Sequence, residues 1–104
     1  MMRSWNDLQQ TLQELMGPDV KVWFQPPEGF KLSYPCIVFD RTNALTDYAD
    51  NNPYRVTKRY TVTLMSKTAD NEELLDKLLL FPMCTYDRQF INDNIVHDVF
   101  SIFY

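Results

Sequence analysis

The chain has 104 residues, of which 45% are hydrophobic and 23% charged, and its formal net charge is −4. That size predicts one domain with a core large enough to fold without metal or disulfide staples. The acidic balance argues against a protein that holds phosphate backbones through net charge, and no apolar run approaches the ~20 residues of a membrane span.

Fifteen aromatic residues stand against only two glycines. Aromatic side chains favour strands and interfaces, and so few glycines leave no Gly-rich phosphate loop. The opening MMRSWNDLQQ carries no apolar segment of the secretory-signal kind. Cys36 and Cys84 are therefore expected to be reduced and to pack as small hydrophobes. With His97 as the single histidine, the chain lacks the ligands of an ordinary zinc site.

The first predicted element is a helix. Ser4 can cap it with Asp7 reaching back, Trp5, Leu8, Leu12, Leu15 and Met16 form one apolar stripe, and Gly17-Pro18 ends it. Gln9, Gln10, Gln13 and Glu14 fill the opposite face. A strand over Val20 to Phe24 follows, then a stiff turn from Gln25 to Gly29. The unbroken apolar run Cys36 to Phe39 predicts a second strand, buried on both faces.

Arg41 to Pro53 is polar and rich in turn residues, and is expected to be a long projecting loop. From Arg55 to Met65 the period-two alternation is the clearest in the chain. Tyr60, Val62 and Leu64 should lie on the core, while Arg55, Arg59 and the threonines face water or a partner.

A second helix is expected from Asp70, capped by its carboxylate, with Leu74, Leu75, Leu78 and Leu79 inward and Phe81-Pro82 as its stop. Two strands close the chain, Cys84 to Ile91 and Ile95 to Tyr104, joined by a turn at Asn92-Asp93-Asn94. Both alternating sets of the last strand are partly apolar, which places it centrally in a sheet or under another subunit. The fold class is α+β, a mostly antiparallel or mixed sheet of four to five strands with two helices on one face, all within 1–104.

No catalytic, cofactor-binding or metal-binding residue stands out. The acids Asp70, Glu72, Glu73 and Asp76 read as helix caps and a solvated face. His97 and Asp98 are neighbours in a strand, so their side chains point to opposite faces. Arg55, Lys58 and Arg59 beside Tyr54 and Tyr60 have the composition of a single-stranded nucleic-acid site, yet only three charges are split over two faces. A subunit contact with Asp47 and Asp50 explains them at least as well.

Four segments carry a resemblance. PPEGFKLSYPCIVFD, ADNNPYRVTKRYTVTLMSK, FPMCTYDRQF and NIVHDVFSIFY together resemble the tail terminator, or tail completion, proteins of long-tailed bacteriophages and prophages. The resemblance implies a non-enzymatic virion assembly protein that acts in the host cytoplasm and ends at the head–tail junction. Such proteins form a hexameric ring on the head-proximal end of the tail tube. The ring stops growth of the tube protein and meets the head-completion or connector protein. Genomic DNA crosses the lumen without specific binding, a passage that suits an acidic subunit. The expected subunit interface is Asp47, Asp50, Arg55 and Arg59, with Phe103 and Tyr104 at an apolar edge. The alternatives are another head–tail joining role, such as head closure or minor capsid protein, and a small nucleic-acid-binding accessory protein.

Overall fold

The computed structural model describes residues 5–27, 29–49, 52–68 and 71–103; over 42–49 and 52–58 it describes the backbone. The element order is α1 (Trp5–Met16), β1 (Lys21–Phe24), β2 (Cys36–Ala49), β3 (Asn52–Ser66), α2 (Glu72–Leu79), β4 (Cys84–Asn92) and β5 (Ile95–Phe103). The strands form one mixed sheet in the order β1-β2-β3-β5-β4. β1 runs parallel to β2 and every other pair is antiparallel. The α+β class and the two helices on one face are as expected from the sequence.

The apolar stripe of α1 does what its spacing implies. Leu8, Leu12 and Met16 are buried, and Trp5 stacks on Phe24 with ring centroids 4.5 Å apart. Gly17 ends the helix with φ +87°, a left-handed conformation that glycine reaches without a Cβ clash, and its N–H donates to Gln13 O at 3.0 Å. The proposed cap Ser4 lies outside the described residues.

Gln13 has a second task that its place on the polar face conceals. Its side-chain amide donates to Val20 O at 2.7 Å and to Gly17 O at 2.9 Å, and its Oε1 accepts from Val22 N–H at 3.2 Å. Gln9 adds a bond to Val22 O at 2.9 Å. Two glutamines thus take the place of a neighbouring strand along the open edge of β1, satisfying backbone groups that would otherwise be free to pair with another chain.

The core lies between the helices and one face of the sheet. Ile37, Phe39, Tyr60, Val62, Phe100 and Ile102 are fully buried there, under Leu8, Leu12 and Leu78. β5 sits between β3 and β4, which is why both of its alternating residue sets carry apolar side chains. The β4–β5 turn has φ +52° at Asp93 and +64° at Asn94, the type I′ geometry that matches the twist of a two-residue hairpin.

Three expectations need correction. Arg41 to Pro53 does not form a long projecting loop: β2 continues to Ala49 and β3 begins at Asn52, so this stretch is a hairpin. Cross-strand pairing makes these polar residues a ribbon despite their turn-like composition. Asn71, and not Asp70, occupies the N-cap position of α2, and its side chain makes no capping bond; Asp70 lies outside the described residues. Leu79 is exposed, because the eight-residue helix turns only Leu78 fully into the core.

Candidate interaction surfaces

The β2–β3 hairpin outgrows the sheet. β5 pairs with β3 only from Arg59 to Ser66, eight of its fifteen residues, and β1 pairs with β2 only from Cys36 to Phe39. Beyond these limits the hairpin continues as a two-stranded arm with no third strand on either edge among the described residues. At about 3.4 Å per residue, fifteen residues of β3 span ~50 Å, the full 50 Å length of the molecule. The Cα radius of gyration is 14.7 Å, against about 13 Å for a compact domain of this size.

Register decides what becomes of the charged set picked from the sequence. Asp47 lies directly opposite Arg55, and Arg59 follows on the same face of β3. Opposite charges at such a position stabilise a hairpin by roughly 0.2–1 kcal/mol. Asp47 and Arg55 thus occupy facing register positions within one chain. Asp50 and Tyr104 lie outside the described residues.

Arg59 anchors the base of the arm. Its guanidinium Nη2 donates to Ser101 Oγ at 3.1 Å, and Ser101 Oγ donates to Asp87 Oδ2 at 2.6 Å, so three strands are tied by one polar chain. Arg59 Nε is buried without a hydrogen-bond partner. Phe103 is the register partner of Arg59 on β5 and also lines an apolar cleft of about 440 Å³ with Leu15, Leu80, Phe81 and Met83. Leu80 and Met83 on the rim of this cleft are 80% and 69% exposed.

The sheet face away from the helices is open. Trp23, Val38, Met65 and His97 lie on it half-buried, and Phe90 stacks on His97 at 4.5 Å with Arg88 5.6 Å from the Phe90 ring. Asp98 points to the opposite face, as the alternation requires. It is fully buried, and its carboxylate accepts from Tyr86 Oη at 2.8 Å, Gln89 Nε2 at 2.8 Å and Asn71 Nδ2 at 2.9 Å. Three neutral donors, two on β4 and one at the start of α2, hold one buried carboxylate. Burial, the hydrogen bond to Asp98 and its charge all push the Tyr86 phenol above its ordinary value, so it stays protonated as a donor.

A cysteine–histidine nucleophile is not assembled. Cys36 and His97 share a row but are two strands apart, about 10 Å, and Cys84 lies on the other face of the sheet. Burial pushes the Cys36 thiol up to about 11; burial and the Asp87 charge do the same for Cys84. Neither is a thiolate at neutral pH. Among the described residues no three His, Cys, Asp or Glu side chains converge as metal ligands, and no helix is long and apolar enough to cross a membrane.

β4 is the surface that sequence reading passed over. It is an edge strand of nine residues, and Tyr86, Phe90 and Ile91 are 44%, 39% and 70% exposed on it. A strand with this composition reads as half-buried; only its position at the sheet edge leaves it open. Comparison with known proteins is silent: no family model and no curated protein matches the chain.

Proposed function

We propose that the chain is a phage virion assembly protein of the tail terminator kind, a subunit of a ring that caps the tail tube and receives the head. The four sequence segments that resemble this family carry the reading, and they run through the sheet and both of its hairpins. The architecture supports it: one small core presents an open sheet face, an open edge strand and an arm, each of a size to meet another subunit.

In this reading the chain acts by geometry alone. A closed hexamer of identical contacts matches the symmetry of the tube and covers the surface on which the next tube ring would add. The proposed partners are the tail tube protein on one side and the head-completion or connector protein on the other, with DNA passing through the lumen. Incubation with growing tail tubes, followed by electron microscopy, tests this directly. Tubes of uniform length ending in an extra ring are expected, and removal of the gene from its phage should give tails of irregular length. Tails of normal length that fail to join heads would assign the chain to head closure instead.

A further inference from the structure

Exposed apolar surface is gathered in one part of the molecule. Seven large hydrophobic side chains are exposed among the described residues, and six of them, Leu79, Leu80, Met83, Tyr86, Phe90 and Ile91, lie between the end of α2 and the end of β4. Apolar residues scattered singly over a surface need no explanation; six so close in the chain, beside an edge strand, mark an interaction site.

The two edges of the sheet are treated differently. β1 is closed by the amides of Gln9 and Gln13. No side-chain amide from a helix closes the backbone of β4 in this way among the described residues. A register shift between Tyr86 and Arg88 leaves Arg88 to Asn92 as the regular stretch of the edge. The hairpin fixes which of its backbone groups are free. Beside a two-residue I′ turn the flanking pair, here Asn92 and Ile95, exchanges both backbone hydrogen bonds, and bonded and non-bonded pairs then alternate. Arg88, Phe90 and Asn92 therefore turn N–H and C=O towards β5, while Gln89 and Ile91 turn theirs outward. The bond from Phe103 N–H to Met83 O at 3.2 Å keeps the same alternation at the far end of β5.

Outward N–H and C=O groups on an edge are a template for one more strand. A strand added here bonds to Gln89 and Ile91, and its successive side chains fall beside Ile91 on the helix face and beside Phe90 on the other. Ile91 and Phe90 are both exposed, so apolar side chains on either face of the added strand bury surface.

Charge narrows the occupant. From Glu72 to Asp93 the chain carries five acids and two bases, net −3, and all five acids are exposed. One of the two bases, Lys77, already sits 3.9 Å from Glu73. Helix α2, which supplies Glu72, Glu73 and Asp76, contacts β4. A second copy's β4 would bring −3 against −3 along the seam, and like charges set together oppose association. A segment with lysine or arginine meets the opposite sign.

We propose that β4 receives an extended, apolar and positively charged segment of a partner protein as a sixth strand, hydrogen-bonded at Gln89 and Ile91. Nothing in this contact depends on tube capping, so either can fail while the other stands.

Selection from a displayed library of random twelve-residue peptides on the immobilised chain tests it. Enriched peptides should carry runs of β-branched or aromatic residues and net positive charge. The best of them, made synthetically, should slow exchange of the Gln89 and Ile91 amides. Ile91→Pro, a change that an edge position with an outward N–H tolerates, should weaken its binding by about tenfold or more. Glu72→Lys with Asp76→Lys should do the same. N-methylation of alternate residues of the peptide should abolish binding with the chain itself untouched, which separates a lost strand contact from a misfolded variant. No enrichment, enrichment of acidic peptides, protection away from β4, or binding indifferent to N-methylation would overturn the proposal. So would a chain that pairs with itself through β4 and excludes the peptide.

Discussion

The Tyr86 hydroxyl on β4 donates to the Asp98 carboxylate on β5 at 2.8 Å, and the other carboxylate oxygen holds the side chain of Asn71 at the start of α2. One buried acid thus joins the edge strand, a central strand and the second helix. Asn71 Nδ2 also donates to Ser66 Oγ at 3.0 Å, extending the link to the end of β3.

Replacing Asp98 with Ala leaves the buried Asn71 amide with only its bond to Ser66 and removes the acceptor for Tyr86 and Gln89. A loss of about 2–4 kcal/mol is expected from urea unfolding, since each unsatisfied buried group costs roughly 1–3 kcal/mol and two of the three donors can turn to water. Asp98→Asn keeps one carbonyl acceptor and should lose less. Equal stability of wild type and Asp98→Ala would show that the network contributes nothing.

Gln13→Ala removes three hydrogen bonds to residues 17–22 in one change. The expected cost is about 1–2 kcal/mol, read as a fall in Tm of roughly 4–15 °C for a domain of this size. Gln10, which bonds only to Glu14 on the exposed face, should tolerate the same change within about 0.5 kcal/mol.

Asn94 has φ +64° in the β4–β5 turn. Asn94→Gly relieves the Cβ penalty there and should stabilise the chain by a few tenths to about 1 kcal/mol, whereas Asn94→Val should destabilise it by about 1–2 kcal/mol. Thermal unfolding of the two variants distinguishes these signs.

Both thiols are raised to about 11 against an ordinary value near 9.0. The folded state therefore favours the protonated thiols. The stability they contribute is complete below pH 9 and is lost as pH climbs from about 9 towards 11. Alkylation at pH 7.5 should be slow at Cys84 and slower at the fully buried Cys36, which should react on unfolding. Rapid modification of Cys36 in the folded chain would contradict its burial.

Amide exchange should divide β3 in two. From Thr61 to Leu64 the strand lies between β2 and β5, and its amides should be the slowest to exchange. From Tyr54 to Thr57 it has one neighbour, and exchange should be markedly faster.

Much of the fold is legible in the residue pattern because the forces behind it are local. The stripe of α1, its stop at Gly17-Pro18, the alternation through Tyr60, Val62 and Leu64, and the turn at Asp93-Asn94 each follow from backbone sterics and a two- or 3.6-residue period. The arm is not legible in this way. Threonine, asparagine and aspartate over residues 41–53 signal a loop when judged by propensity, and only pairing with the strong strand that follows makes them a ribbon.

Charge and composition in the chain already specify an acidic, glycine-poor α+β domain with one clear strand and two amphipathic helices. Long-range pairing settles the rest. Register sets Asp47 against Arg55 inside one chain, strand order leaves β4 open while glutamines close β1, and folding gathers three distant donors around Asp98. None of these depends on a residue's immediate neighbours. Each arises because a sheet brings together segments far apart in the chain, and which edges stay unpaired is a property of the whole sheet.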